Sequence, residues 1–282
     1  MLASSLLLAL VVGTWNGEWF PSGRAEHRAN EQVERAAIRA AGQMLSEGIS
    51  SVDPSGSDDV VLCLNEIRDL ETAQALCSAI GRTNLTVAVV TAYRRRDRFD
   101  QQQDVIMTTL PVAKANWSTW KIHKEAIPPR GYAHADVVVS PAVTATVYAV
   151  HLKSNYGQTS EDIAATNRLK RAFAVEQLLN QERPKRGKFR SPVIIAGDFN
   201  ADRFAKSFDK ETIFQSLEKA GFVDAFEGVP QDGRLTHPGK GRFTGSTLDY
   251  IYMRGCRVES SPKVIPALRI SDHDAVFVRL QF

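Results

Sequence analysis

Apolar runs recur along this chain, and nearly all of them stop at a polar residue drawn from a small set. "LLLALVVGTWN" (6–16) ends at Asn16, and "DVVLCLNEI" (59–67) carries Asn65 and Glu66 near its end. "TATVYAVHLKS" (144–154) reaches His151 after its apolar part, and "VIIAGDFN" (193–200) closes on Asp198 and Asn200. "STLDYIYMRG" (246–255) holds Asp249 near its start, while "RISDHDAVFVRLQF" (269–282) opens with Asp272 and His273 before an alternating stretch. Runs of this length, rich in β-branched residues, predict strands buried on both faces. Weaker strand candidates lie at 85–93 and 134–141.

The run at 193–200 illustrates the pattern. Pro192 suits a first strand residue, where the missing N–H does least harm. Gly197 frees the backbone to leave the sheet. Side chains at i and i+2 point the same way, so Asp198 and Asn200 should project together. Taken alone, the pair equally suits a turn.

Between these runs the period changes to that of helices. Val33, Ala37, Ala41 and Leu45 fall four apart within 25–47, and "DLETAQALCSAIG" (69–81) ends on a C′ glycine. In 161–182, Leu169, Ala172, Phe173 and Leu179 make an apolar stripe, and a shorter helix over 209–220 closes at Gly221. Strands and helices mix without strict alternation, and several strands follow one another directly. That predicts an α/β sandwich with sheets inside and helices outside. No internal repeat or low-complexity linker divides the chain, and "PKRGKFRSP" (184–192) reads as a basic loop between a helix and a strand. A single domain over 1–282 is expected.

Composition refines this little. The 282 residues carry a formal charge of +3 and a pI near 8.7, which permits a polyanionic partner without requiring one. Cys63, Cys77 and Cys256 form no CxxC pair and no zinc spacing, so reduced thiols are expected, with a Cys63–Cys77 bridge the one pairing considered. The N-terminal apolar run lacks a basic flank before it and an A-x-A site after it. It reads as a first strand rather than a cleaved signal, and it is too short to span a bilayer. Whether the protein stays in the cytoplasm or is exported is left open.

The chemistry lies at the strand ends. Glu66, Asp272 and the amide oxygen of Asn16 are hard donors that suit Mg²⁺ or Mn²⁺ rather than zinc. Histidine supplies a proton donor or a cation near neutral pH, and an acid beside it stabilises the charged form. Together these describe metal-assisted attack of water on a phosphate ester.

"TWN" (14–16), "LNEI" (64–67), "HLKS" (151–154), "GDFN" (197–200), "LDYI" (248–251) and "SDH" (271–273) resemble, in order, the motifs of the endonuclease/exonuclease/phosphatase superfamily. This is the group of DNase I-like, exonuclease III-like and phosphodiesterase enzymes. The resemblance implies a four-layer α/β/β/α sandwich. It implies that Asn16, Glu66 and Asp272 surround a divalent metal, and that Asp198, assisted by Asn200, orients or deprotonates the attacking water. It also implies that His273, held by Asp249, contacts the phosphoryl oxygens, that His151 lies near the leaving oxygen, and that Arg130 binds substrate. Each residue has a plainer reading. Glu66 could make a surface salt bridge, Asn16 and Asp249 could shape turns, and His151 could be a satisfied core histidine.

Two positions depart from the family pattern. Arg95 stands where the acid partner of the second histidine would be, leaving Asp97 as a guess, and Asn65 replaces a common Gln. His27, His123, His134 and His237 match no motif and receive no role. The basic runs at 94–98 and 185–190 could track a phosphate backbone or be solvated loops. Trp117 and Trp120 could stack on bases or fill a loop. Compactness, basicity and "HLKS" favour a nuclease acting on DNA or RNA, working as a monomer, with no membrane insertion and no protein partner implied. The alternatives are hydrolysis of a small or lipid-derived phosphate ester and a non-catalytic nucleic-acid-binding module. A serine hydrolase is excluded by the absence of G-x-S-x-G.

Overall fold

The computed structural model describes residues 8–23, 29–95, 98–155, 160–182, 192–239 and 244–282. The basic run at 185–190, Asp97 and the first seven residues therefore lie outside the described residues.

In chain order the first elements are β1 (Ala9–Phe20), α1 (Glu31–Val52), β2 (Asp59–Ile67), α2 (Leu70–Ile80) and β3 (Thr86–Val90). The two-residue pair β4 (Arg94–Arg95) and β5 (Arg98–Phe99) follows, then β6 (Gln103–Thr108), β7 (Val112–Thr119), β8 (Gly131–Ser140) and β9 (Val143–His151). The rest are α3 (Glu161–Gln181), β10 (Val193–Asp198), α4 (Ile213–Lys219), β11 (Val223–Asp224), β12 (Asp249–Arg254), β13 (Arg257–Ile265) and β14 (Ala275–Gln281). One six-stranded sheet has the order β13-β14-β1-β2-β6-β3, and a second has β11-β12-β10-β9-β8-β7.

The period of two explains why apolar runs with no polar face were needed. On β1, Leu10 and Val12 enter the layer between the sheets, while Val11 and Trp15 face the helical side. On β2, Val61 and Cys63 face inward, and Val60, Leu62 and Leu64 face α1 and α2. Residues of α3 and α4, among them Val175, Leu178 and Leu217, pack against the second sheet. The result is the four-layer α/β/β/α sandwich that the family resemblance implies. Phe277 locks one outer layer: a Cβ on Gly48 of α1 would overlap its ring, and one on Gly13 of β1 would lie 2.6 Å away. Any side chain at either glycine overpacks this contact, at a cost of about 1–3 kcal/mol.

Several expectations are corrected. The buried face of α3 is Asn167, Arg171, Ala174, Val175 and Leu178, and Leu169 is exposed rather than part of a core stripe. Two polar residues displace the stripe because their side-chain donors find buried partners. Arg171 is bound by Glu211 and by the Lys153 carbonyl, and Asn167 Nδ2 donates to the Ser154 carbonyl at 3.2 Å. Removing one side of a buried ion pair such as Arg171–Glu211 costs about 3–5 kcal/mol. Helix α1 starts at Glu31, where Asn30 Oδ1 caps Val33 N at 3.0 Å. Val33 therefore sits in the first turn, outside the core, and is exposed.

Strands β7 and β13 were not anticipated. Both lie at sheet edges and are largely exposed, so they lack the apolar run that betrays an inner strand; Pro262 in β13 is tolerated at an edge. Trp120 is buried against Tyr132, which removes it as a stacking surface. All three cysteines are free, with Cys63 in the inter-sheet core and Cys77 on the helical side. None of the described helices is long and apolar enough to cross a membrane.

Candidate active site

Strand register assembles the polar strand ends. Parallel pairing of β1 with β2 sets Asn16 beside Asn65. Parallel pairing of β10 with β9 sets Asp198 beside His151, and antiparallel pairing with β12 sets Asp198 beside Asp249. Packing of the two sheets then brings both sets together, and Asn16 Nδ2 donates to Asp198 Oδ2 at 2.9 Å. The loop after β13 adds Ser271, Asp272 and His273: Ser271 Oγ donates to the Asn16 carbonyl at 2.7 Å, and Trp15 Nε1 to the His273 carbonyl at 3.0 Å.

Asp198 is buried and held from several directions. Asn200 donates its backbone N–H to Oδ1 at 2.7 Å and its Nδ2 to Oδ2 at 2.8 Å. Asn65 Oδ1 accepts the Asp198 N–H at 2.9 Å. Burial pushes the Asp198 carboxyl up to about 7, against the pull of His273 and these donors. Three of the predicted site residues, Glu66, Asn200 and Arg130, hold left-handed backbone with φ of 58°, 51° and 62°. For non-glycine residues that conformation is costly and concentrates at functional sites.

Asn65 has its own support. Its Nδ2 donates to the buried Asp104 Oδ1 at 2.7 Å, and Tyr93 Oη donates to Asp104 Oδ2 at 3.0 Å. Burial lifts the Asp104 carboxyl to about 7 despite these two donors and Arg130. Neither Tyr93 nor Asp104 carries a sequence signal that marks it; both fall in strand-like or turn-like surroundings.

His273 Nδ1 lies 2.7 Å from Asp249 Oδ2. Burial opposes the imidazolium, yet Asp249, Asp198 and Asp272 outweigh it and raise the pKa to about 10. His273 is therefore a cation across neutral pH. His151 differs. Its Nε2 stands 3.6 Å from Glu66 Oε1 and 3.5 Å from Asp198 Oδ2, and its Nδ1 is buried with no partner among the described residues. Burial, with Arg130, His273 and Lys153, drives its pKa well below the usual histidine range. Arg130 Nη1 donates to Gln102 Oε1 at 2.9 Å, and its charge is felt at both His151 and Lys153.

Glu66 Oε2 accepts the Trp19 N–H at 3.1 Å, and its Oε1 faces Asn16 Nδ2 at 3.4 Å. Asn16 Oδ1 is taken by the Glu18 N–H at 3.0 Å, so Asn16 offers nitrogen to the carboxylates here and oxygen to a cation only with its amide turned over. Asp272 lies half exposed at the rim, its N–H donating to Glu18 Oε2 at 3.1 Å. His237, which no motif marked, stands beside Asp272 and His273. The donors fit a hard divalent cation: Glu66 is a buried carboxylate and Asp272 a half-exposed one at the rim, and beside His273 the buried Asp249 Oδ1 has no hydrogen-bond partner among the described residues. Carboxylate oxygen of this kind is what Mg²⁺ or Mn²⁺ takes.

The sequence model of the Endonuclease/Exonuclease/phosphatase family matches residues 13–273. None of the curated proteins matches the chain in sequence. Among solved structures, a family protein from Leptotrichia buccalis superposes with a TM-score of 0.64 at 16% identity, covering 97% of this chain and 100% of that one. TDP2 from D. rerio, complexed with a single-strand DNA product, gives 0.62 at 16% identity, covering 97% and 99%. ANGEL2, described as a 2',3'-cyclic phosphatase and complexed with adenosine-2',3'-vanadate, gives 0.65 at 11% identity, covering 98% and 96%. At such identities the structural likeness is one of fold.

Proposed function

Because the chain belongs to the endonuclease/exonuclease/phosphatase family, a group of phosphoric ester hydrolases, we propose that this site hydrolyses phosphodiester bonds in a nucleic acid. The observation that carries the reading is the placement of Asp198, shared by Asn16 and Asn200, beside both the His273–Asp249 pair and His151. Asp198 is the base: Asn200 and Asn16 fix its carboxylate, so its free electron pairs face the water that attacks phosphorus. His273, charged and held by Asp249, stabilises the negative charge that grows on the phosphoryl oxygens. His151, neutral, turns Nε2–H toward the reacting centre on the leaving-group side. Arg130 and Lys153 flank His151 and draw the phosphate in. Glu66, with Asn16 and Asp272, would hold Mg²⁺ or Mn²⁺, which when bound polarises the phosphoryl oxygen and lowers the barrier to water attack.

The nucleic-acid substrate is supported by the net positive charge, by the single-strand DNA product bound in TDP2 and by the adenosine-2',3'-vanadate bound in ANGEL2. ANGEL2 also motivates a second reading, a small nucleotide phosphate ester. Nicking of supercoiled plasmid with Mg²⁺ or Mn²⁺ tests the first. The expected result is metal-dependent nicking abolished by EDTA and reduced about a thousandfold in His273→Ala or Asp198→Ala with the fold intact. Near-normal activity in either variant would overturn the roles. Absence of nicking alongside cleavage of a small diester would select the second reading.

A further inference from the structure

At the rim of the pocket three side chains converge that hydrolysis does not use as a set. His237 Nε2 lies 3.6 Å from Asp272 Oδ2, and His273 Nε2 lies 3.8 Å from Asp272 Oδ1. One ligand atom from each of the three falls within 4.8 Å of the others. Both spacings exceed a hydrogen bond. They approach the edge of about 3.4 Å between neighbouring ligands of a tetrahedral ion with bonds of about 2.1 Å.

The surroundings of each imidazole point the same way. His273 Nδ1 rests on Asp249 at 2.7 Å, which is how a metal-binding histidine is usually braced, with the far nitrogen left for the ion. His237 is fixed by its backbone, which exchanges two hydrogen bonds of 2.9 Å with Ser246. The two rings meet edge to face, centroids 5.1 Å apart at 75°. Two imidazoles and one carboxylate, partly open to solvent, are the donors of zinc, cobalt or nickel rather than of magnesium.

The geometry points to a second cation site formed by His237, Asp272 and His273, which takes Zn²⁺ or a similar transition ion in exchange for the proton on His273 Nε2, released to solvent, and so blocks hydrolysis. The site differs from the oxygen-rich one in its nitrogen donors and in His237. Asp272 is the residue the two share. The blocking effect rests on the hydrolytic reading above, whereas binding does not.

Co²⁺ is the probe, titrated into the full chain with millimolar Mg²⁺ present and read by its visible d–d absorption. One Co²⁺ should bind the wild type with an imidazole-type band that Zn²⁺ displaces. His237→Ala should weaken binding at least about tenfold, retain Mg²⁺-dependent hydrolysis and lose inhibition by Zn²⁺. Asp272→Asn should also weaken Co²⁺ binding. A wild type with no such band, or a His237→Ala variant with unchanged Co²⁺ affinity, overturns the site. Should the wild type hydrolyse no phosphodiester while the Co²⁺ band still depends on His237, the cation site stands and the hydrolytic reading falls.

Discussion

His273, from the loop before β14 of the first sheet, and His151, from β9 of the second, both approach Asp198, and their surroundings drive them to opposite protonation states. His273 reaches the site from a loop, and Asp249 on β12 waits for it at 2.7 Å. The acid outweighs burial and raises the imidazole to about 10. His151 sits at the end of β9 with no partner for Nδ1 among the described residues, and burial, with Arg130, His273 and Lys153, pushes its pKa far down. One ring is a cation and the other neutral, within one site. Environments that push apart the pKa values of neighbouring groups are how one pocket sustains two roles.

The most forceful way to break the comparison is Asp249→Asn. With the carboxylate gone, His273 returns toward the ordinary histidine value of about 6.5, and turnover should fall by about a hundredfold or more at pH 8. The sign is fixed by the charge: His273 is active when protonated, so the alkaline limb of kcat/KM should move from near 10 toward neutrality. A pH–rate profile with an unmoved limb would show that Asp249 does not hold the charge. In the wild type the same pair contributes stability that is full below about pH 6.5 and is lost as pH rises through 10, which urea unfolding across that range can follow.

A second test concerns what fixes Asp198 between the two rings. Asn65→Asp or Asp104→Asn alone disrupts the chain Tyr93–Asp104–Asn65–Asp198 and should lower kcat by about tenfold, the value of one charge-assisted hydrogen bond, with KM little changed. The double variant Asn65→Asp/Asp104→Asn exchanges carboxylate and amide. The carboxylate now at position 65 would still accept the Asp198 N–H, and the amide at position 104 would donate to it. Tyr93 would donate in turn to the oxygen of that amide. Activity should therefore recover. Failure to recover would assign Asp104 to a charge role instead.

The smallest effect is expected on the neutral side. His151→Gln retains a donor and should cost about fivefold in turnover, roughly 1 kcal/mol. Its clearer signature is in stability. A histidine whose folded pKa is depressed takes up its proton more readily when unfolded, so the wild type loses stability as pH falls below about 6.5. The variant should lose less, and equal acid sensitivity would show that His151 is not the buried neutral group.

Much of this is legible in the order of residues. Asn16, Glu66, His151, Asp198 and Asp249 stand out because each lies at the end of an apolar strand, where burial makes a polar residue expensive; Asn200 and His273 lie just outside strands and are marked by the family motifs, and the seven meet at one site. Tyr93, Asp104 and His237 could not be picked out, since nothing local distinguishes them from turn or strand residues. The α3 face was misread for the same reason: Asn167 and Arg171 look like solvent residues until the carbonyls of Ser154 and Lys153 arrive to meet them.

The sequence by itself determined the inner strands and their polar ends, because alternation and composition are local and each buried strand must display them; the four-layer order and the roles of the reactive side chains came from the family resemblance. Only the tertiary structure decided partnership. Asn16 meets Asp198 across 182 residues of chain and His273 meets Asp249 across 24, through strand register and sheet packing. Protonation followed from those meetings. Two histidines alike in sequence differ in charge because one was brought into hydrogen-bond contact with a carboxylate and the other was buried among cationic neighbours without one, and both placements are set by the fold alone.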